Sequence, residues 1–456
     1  MTTAQRDAGV GDAVDHYHEL LTDDIAGESQ RWLDDQLHHR GLFFGDRPLC
    51  TVLRPRFLGV EQYRLLRRSI AGVLRAFSAA AEAAIDRQDV LAQFRLEPWE
   101  RELAMTDVGL AESCPLSRVD AFFDEDGLSI TEYNAETPAG AAYNDALAEV
   151  FLTLPAMRPF LRAWSAVPLV ARAHTVNVLL ECYHQWSGHR ALPRIAILDW
   201  ADVPTQSEFR LFQQHFRTLG IDCVIADPRD TELRSGRLHA GGAPIDLIYK
   251  RVLLHELVAR MGADNPVLQA VRARSVCLVN PPACKILHKK ASLAVLSDER
   301  NADLFDAATR HAIDAHIPWT RVVEERRTSV EGKSIDLLPW MTANRDHLVL
   351  KPNDDYGGKG IVLGWEVSVD HWDAAIQAAL ASPYIVQRRI TLETEPYPSF
   401  VDGRVVVADR MVDTAPYVAH GSFVDGCLTR LSTAALLNVT AGGGSQVPTF
   451  VVEPRS

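Results

Sequence analysis

Two short strings in this sequence carry side chains suited to phosphate chemistry. The first is LVLKPNDDYGGKGIVLG, residues 348–364. Lys351 ends an apolar strand, and Gly357, Gly358 and Gly360 form a tight turn that carries Lys359. Glycines let backbone N–H groups turn toward a ligand, and lysines supply point charges for phosphate oxygens. The combination suits a polyphosphate beneath a mobile hairpin, although a Gly-rich turn with solvated lysines has the same composition. It is not a Walker A loop, because G-x-x-x-x-G-K-[ST] does not occur.

The second string is RVDAFFDEDGLSITEYNAETPAG, residues 118–140. Apolar and polar residues alternate around the turn signal Asp124-Glu125-Asp126-Gly127, which predicts a hairpin. Arg118 and Asp120 then share one face of the first strand, and Glu132 and Asn134 one face of the second. Two carboxylates and an amide oxygen are hard ligands that fit Mg²⁺ bridging ATP phosphates. Arg118 would offset charge on a transferred phosphoryl group. An exposed hairpin with a polar face is the plainer alternative.

The surrounding elements read as mixed α/β. Residues 1 to about 45 are expected to be helical, as is EQYRLLRRSIAGVLRAFSAAAEAAID at 61–86 and the tract 142–190 with its prolines at 155, 159 and 168. PRIAILDW, IDCVIADP, PIDLIYKR and SVCLVN predict strands of a parallel, Rossmann-like sheet, with SEFRLFQQHFRTLG as a helix between the first two. No G-x-G-x-x-G occurs, so dinucleotide binding is not supported. Farther on, His288-Lys289-Lys290 opens a helix, residues near 371–381 form another, and YIVQRRI at 384–390 is a strand. The stretches 399–412 and 446–452 are strand-rich.

The order of lysine strand, glycine loop, helix and YIVQ strand resembles the nucleotide half of an ATP-grasp enzyme. ITEYNAETPAG, with Arg-x-Asp before it, resembles the signature of circularly permuted ATP-grasp proteins and of glutathionylspermidine synthetase-like amide ligases. In the permuted group the metal ligands precede the phosphate lysines, as Glu132 and Asn134 precede Lys290 and Lys351 here. The resemblance spans roughly residues 50–452 and leaves out the helical N-terminus and 305–345. It implies that Lys290, with Lys289 as the less favoured choice, and Lys351 hold phosphates, while 357–360 closes over them. It also implies that Gln387 and the main chain after it meet adenine, that Asp120, Glu132 and Asn134 bind Mg²⁺, and that Arg118 serves the phosphoryl site. Neither an amidase activity nor glutathione as substrate is implied.

The expectation that follows is an ATP-dependent carboxylate–amine ligase acting through an acyl phosphate on small acids and amines, amino acids or small peptides by resemblance. A phosphotransferase or a non-catalytic ATP-binding protein is the alternative. The expected layout is a helical segment at 1–50, a metal-hairpin part at 51–165, a Rossmann-like part at 166–282 and a nucleotide-binding part at 283–456. Arg251, Arg430, Asn438 with Gly442–Gly444, Thr137 and Tyr143 are further candidates for the substrate cleft. Lys250-Arg251 could equally be a solvent pair.

The 456 residues carry a formal charge of -13, with 47% hydrophobic and 23% charged residues. That is globular composition, and its acidity disfavours nucleic acid and anionic membranes as partners. Seven scattered cysteines without Cys-x-x-Cys read as reduced, buried residues. A polar N-terminus without a signal core points to the cytoplasm. No G-x-S-x-G elbow occurs, HELVARM lacks the second histidine of H-E-x-x-H, and the remaining histidines show no metal spacing.

Overall fold

A computed structural model describes residues 3–124, 127–355, 357–433 and 444–455, with side chains from residue 9 onward. Asn438, Gly442 and Gly443 lie outside the described residues. Three sheets organise the molecule. Among the described residues the largest has eight strands. Its central path runs Arg56–Gly59, Ser445–Pro454, Phe423–Ser432, Arg404–Ala419, Leu116–Asp124 and Gly127–Asn134. It therefore joins strands from the first and last thirds of the chain.

A four-stranded sheet in the order Cys277–Val279, Leu247–Lys250, Ile195–Leu198, Cys223–Ala226 is parallel throughout. Its strands are short and buried on both faces, which explains their nearly continuous apolar sequence. Another four-stranded sheet is antiparallel, ordered Thr320–Val322, Tyr384–Arg388, Leu348–Pro352, Val362–Leu363.

The long helix Val60–Asp86 lies beneath the acidic hairpin. Its buried residues Leu66, Ile70, Val73, Leu74, Phe77, Ala80, Ala81 and Ala84 recur at helical spacing and form one apolar face. Gln62 reaches back to accept from the Gly59 backbone N–H at 2.9 Å, which satisfies a donor at the helix start. Phe77 stacks on Tyr133 of the hairpin with centroids 4.2 Å apart. Burying such a ring contributes roughly 1.5–3 kcal/mol, so this face fixes the hairpin's height above the core.

Two stretches depart from the sequence expectations. The tract 142–190 is not wholly helical. Helices Ala141–Leu152, Met157–Ala163 and Arg172–Ser187 are interrupted by the strand Trp164–Pro168, which pairs with Ser445–Pro454. Pro168, which lacks an N–H, sits at the end of that strand, where the loss of a donor is tolerated. Residues 232–244 fold into a small three-stranded antiparallel sheet that the alternation of longer elements did not announce.

Candidate active site

The acidic hairpin closes in the register that sets its polar pairs face to face. Arg118 is opposite Asn134, and Asp120 is opposite Glu132. A register shift follows between Asp120 and Ala121. The displaced residue, Thr131, donates its hydroxyl to the Asp120 carbonyl at 3.0 Å. Its own carbonyl accepts from Lys351 Nζ at 3.3 Å. An extra residue thus turns a main-chain oxygen toward the lysine strand, as bulges beside sites commonly do.

Asn280 anchors both ends of the hairpin. Its Nδ2 donates to the carbonyls of Leu116 at 2.6 Å and Ala135 at 2.7 Å, and its Oδ1 accepts from the Leu116 N–H at 2.9 Å. The hairpin is therefore pinned to the end of the parallel sheet.

Lys351 and Lys290 come from different elements and converge. Lys351 stands on Leu348–Pro352, and its Nζ donates to Gln387 Oε1 at 2.7 Å. Lys290 precedes the helix Ala291–Ser297, and its Nζ reaches Glu132 at 2.9 Å and the Asp355 carbonyl at 2.6 Å. Asn353 ties the two elements together. Its Oδ1 accepts from the Ala291 N–H at 2.8 Å, and its carbonyl accepts from the Lys290 N–H at 2.9 Å.

A cavity of about 370 Å³ opens where these elements meet. Asp120, Glu132, Lys351, Gly357, Gly358 and Gln387 are in its wall, together with Arg430 and Asp413. The segment 388–392 continues the wall beyond Gln387. Val349, Ile361, Leu363, Trp365 and Met411 give one side an apolar character.

Charge in this cavity is densely paired. Arg118 grips both oxygens of Asp120 at 2.7 and 2.9 Å, and Arg430 bridges Asp120 to Asp413. Burial would raise the Asp120 carboxyl, but Arg118 and then Arg430 override it and hold the group well below the usual carboxylate range. Burial opposes ionisation of Glu132 as well, and Lys290 still draws it down. Burial pushes the Lys351 ammonium down to about 8, against a smaller upward pull from Glu132. In the wall Lys351, Arg388, Arg389 and Arg430 outnumber Asp120, Glu132 and Asp413, which leaves local positive charge for an anion despite the acidic whole. Arg118 and Lys290 are outside the wall and pair with its Asp120 and Glu132.

No family model matches the sequence. A Frankia alni protein carrying the provisional name glutamate–cysteine ligase 2-3 is 26% identical over 449 residues, covering 89% of this chain. The chain spans 48% of that protein's length. An uncharacterized Mycobacterium tuberculosis protein is 22% identical over 442 residues, covering 90% of this chain and 75% of that one. Among solved structures, a glutathione synthetase-like effector from Globodera pallida in its apo form superposes with a TM-score of 0.58. The match covers 93% of this chain and 96% of the effector at 10% identity. The fold is that of a glutathione synthetase-like protein.

Other residues singled out from the sequence lie apart from this cavity. Arg251 is 6% exposed and donates to Glu208 at 3.0 Å. Glu208 in turn accepts from the N–H groups of Gly140 and Ala142, at the start of the helix Ala141–Leu152. Tyr143 donates to the Phe43 carbonyl and contacts Ser207. Thr137 is half-buried and Lys359 exposed, and neither is in the cavity wall. Asn134 faces Arg118 but is likewise absent from the wall. Gln387, by contrast, is in the cavity wall; it is buried and donates to Thr320 at 3.0 Å while accepting from Lys351, so its side chain positions the lysine.

Lys289 turns away from the cavity toward Glu100 and Asp354 at 2.8 Å. It belongs to a buried network with Lys250, Lys285, His288 and Glu136. The solvent-pair alternative for Lys250-Arg251 is thereby excluded, since both side chains are buried and paired. Glu136, His288 and Asp354 bring ligand atoms within 4.8 Å of one another. Lys285 already bridges two of them, at 3.2 Å to Glu136 and 2.6 Å to Asp354. Burial pushes His288 down to about 4, so it is neutral there at pH 7. The group is a charge network that locks the lysine helix to the hairpin's exit.

Sequence reasoning missed Asp413 and Asn280. Asp413 sits in MVDTAPYVA, an apolar strand interrupted by a single carboxylate, and such a group is expensive to bury without a purpose. That is the signal that could have found it. The oxygen-rich set fits Mg²⁺. Asp120 and Glu132 face one another, and Asp413 Oδ1 is buried with no partner among the described residues.

Proposed function

We propose that this chain is an ATP-dependent carboxylate–amine ligase of the ATP-grasp kind, with the circularly permuted order of motifs. The observation that carries the reading is that Glu132 of the early hairpin and Lys351 of the late strand share one cavity with the glycine turn. Similarity to a protein bearing a glutamate–cysteine ligase name supports it, and extends it to amino acids as the acid and the amine. In this reading 51–165 and 283–456 enclose the nucleotide, and 166–282 is the Rossmann-like part beside them.

The chemistry is phosphoryl transfer from ATP to a carboxylate, followed by displacement of that phosphate by an amine. ADP and phosphate leave and an amide remains. Lys351 and Lys290 bind phosphate oxygens, and charge that spreads over them in the transition state meets fixed cations. Arg118, locked in place by Asp120 and the Ala139 carbonyl, orients the carboxylate row at the phosphoryl end. Asp120 and Glu132 would hold Mg²⁺, which would supply charge neutralisation for the phosphates, whereas Asn134, a ligand by the resemblance, faces Arg118 outside the cavity wall. The segment 388–392 offers main-chain groups to an adenine edge, while Val349, Ile361 and Leu363 contact its face. The turn at 357–360 closes over the phosphates and excludes water from the acyl phosphate.

The test is an ADP-release screen over pairs of amino acids, with products read by mass spectrometry and hydroxylamine used as a trap. A hydroxamate formed from the acid is expected. A stable phosphoester product would assign the chain to the phosphotransferases instead, and no ATP-dependent ADP release with any pair would leave it a binding protein.

A further inference from the structure

The large sheet carries an ordered row of charge that the reading above only partly uses. Arg430 on Phe423–Ser432 stands directly opposite Asp413 on Arg404–Ala419. That strand pairs with Leu116–Asp124 through Thr414 and Ala121, which puts Asp413 and Asp120 on the same face. Asp120 stands opposite Glu132 on the next strand. Three carboxylates from three adjacent strands thus line one wall of the cavity, at interstrand steps of roughly 5 Å.

Asp413 is the member without a full set of partners. It is 4% exposed, and Arg430 Nε holds its Oδ2 at 3.0 Å. Its Oδ1 is buried and has no partner among the described residues. A buried, unmatched carboxylate oxygen is destabilising unless something positive meets it. Arg430 does not supply that contact, because its Nε and Nη2 both meet Asp413 Oδ2 and Nη2 is also shared with Asp120 Oδ2. The guanidinium instead fixes the carboxylate's orientation, as groups behind a metal ligand do.

We propose that Asp413 is a further ligand for a divalent cation, through Oδ1, beside the position served by Asp120 and Glu132. The proposal rests on the ligase reading, since the remaining coordination positions are left to nucleotide phosphate oxygens. A hard cation such as Mg²⁺ or Mn²⁺ suits an all-oxygen row of this kind. Two cations along the row match a chain of phosphates better than one, because each can bridge a different pair of oxygens.

Mn²⁺ is the probe. Free and bound Mn²⁺ are measured by electron paramagnetic resonance on the full chain with a non-hydrolysable ATP analogue, comparing wild type with Asp413→Asn. The variant is expected to bind one fewer Mn²⁺ per chain, or to bind the weaker one at least about tenfold less tightly. Analogue affinity in EDTA should not fall, because the substitution removes a negative charge from the wall, whereas a merely structural role for Asp413 would weaken analogue binding with and without metal. Thermal unfolding in metal-free buffer checks folding, and Asp413→Ser replaces Asp413→Asn if the latter does not fold. Unchanged Mn²⁺ stoichiometry and affinity in a folded variant, with wild type binding the analogue normally, overturns this proposal alone. If wild type binds neither the analogue nor Mn²⁺, the ligase reading falls and takes the proposal with it.

Discussion

Lys351 shows how far one side chain's environment determines its use. Burial lowers its ammonium to about 8, so it is mostly charged at pH 7 and mostly neutral at pH 9. Phosphate is held by the charged form. Affinity for a fluorescent ATP analogue should therefore be highest below about 8 and fall as pH rises through that value. Lys351→Arg keeps its charge throughout, and the decline between pH 7 and 9 should flatten in that variant. A wild-type affinity that does not change over this interval would remove Lys351 from the phosphate site. Glu132→Ala tests the other wall. It removes the partner of Lys290, and ADP release should drop roughly a hundredfold, equivalent to about 3 kcal/mol of barrier, with the fold kept. Full activity in that variant counts directly against the metal assignment.

At the scale of elements, the site depends on how the hairpin is pinned. The string RVDAFF…ITEYN announced two strands and the face-to-face pairs, because alternation has only one period and one register buries Val119, Ala121, Leu128 and Ile130. The lysine strand, the glycine turn and the YIVQ strand were legible for similar reasons. Asn280 was not. Its role depends on Leu116 and Ala135 arriving at the same point from far upstream, and no local pattern encodes that meeting. Arg251 misled in the opposite sense. The strand end that usually faces a ligand crevice here faces Glu208 and the start of a helix. Asn280→Ala deletes hydrogen bonds to both hairpin ends and leaves buried main-chain groups unmatched, so a loss of about 2–4 kcal/mol is expected in urea unfolding. Affinity for Mn²⁺ should weaken too, because the carboxylates lose their fixed height. An Asn280→Ala protein as stable as wild type, with unaltered Mn²⁺ binding, would show that the hairpin is held by its apolar face alone.

At the scale of the molecule, the parallel sheet and the large sheet must keep a fixed relation for the cavity to exist, and one contact between them is pH-sensitive. His420 follows the end of Arg404–Ala419 and lies between Glu112 and Glu181, at 2.7 and 2.8 Å. Glu181 belongs to Arg172–Ser187, the helix that packs against the parallel sheet. The hydrogen bond to Glu112 raises the imidazole above its ordinary 6.5 more than partial burial lowers it, and Glu181 adds to the rise. A raised folded-state value means that the folded protein binds the proton more tightly than the unfolded chain. The stabilisation is therefore fully present below the unfolded value of about 6.5 and is lost as pH climbs through the higher folded one. His420→Gln keeps a polar side chain but no titratable charge. The stability gap between wild type and this variant, read from urea unfolding, should be largest near pH 6 and should close by pH 9. The group is partly exposed, so raised salt should shrink the gap at pH 6 as well. A gap of the same size at both pH values would mean that His420 acts by shape alone. The clamp between the two sheets would then rest on Asn280 and on the buried network around Glu136.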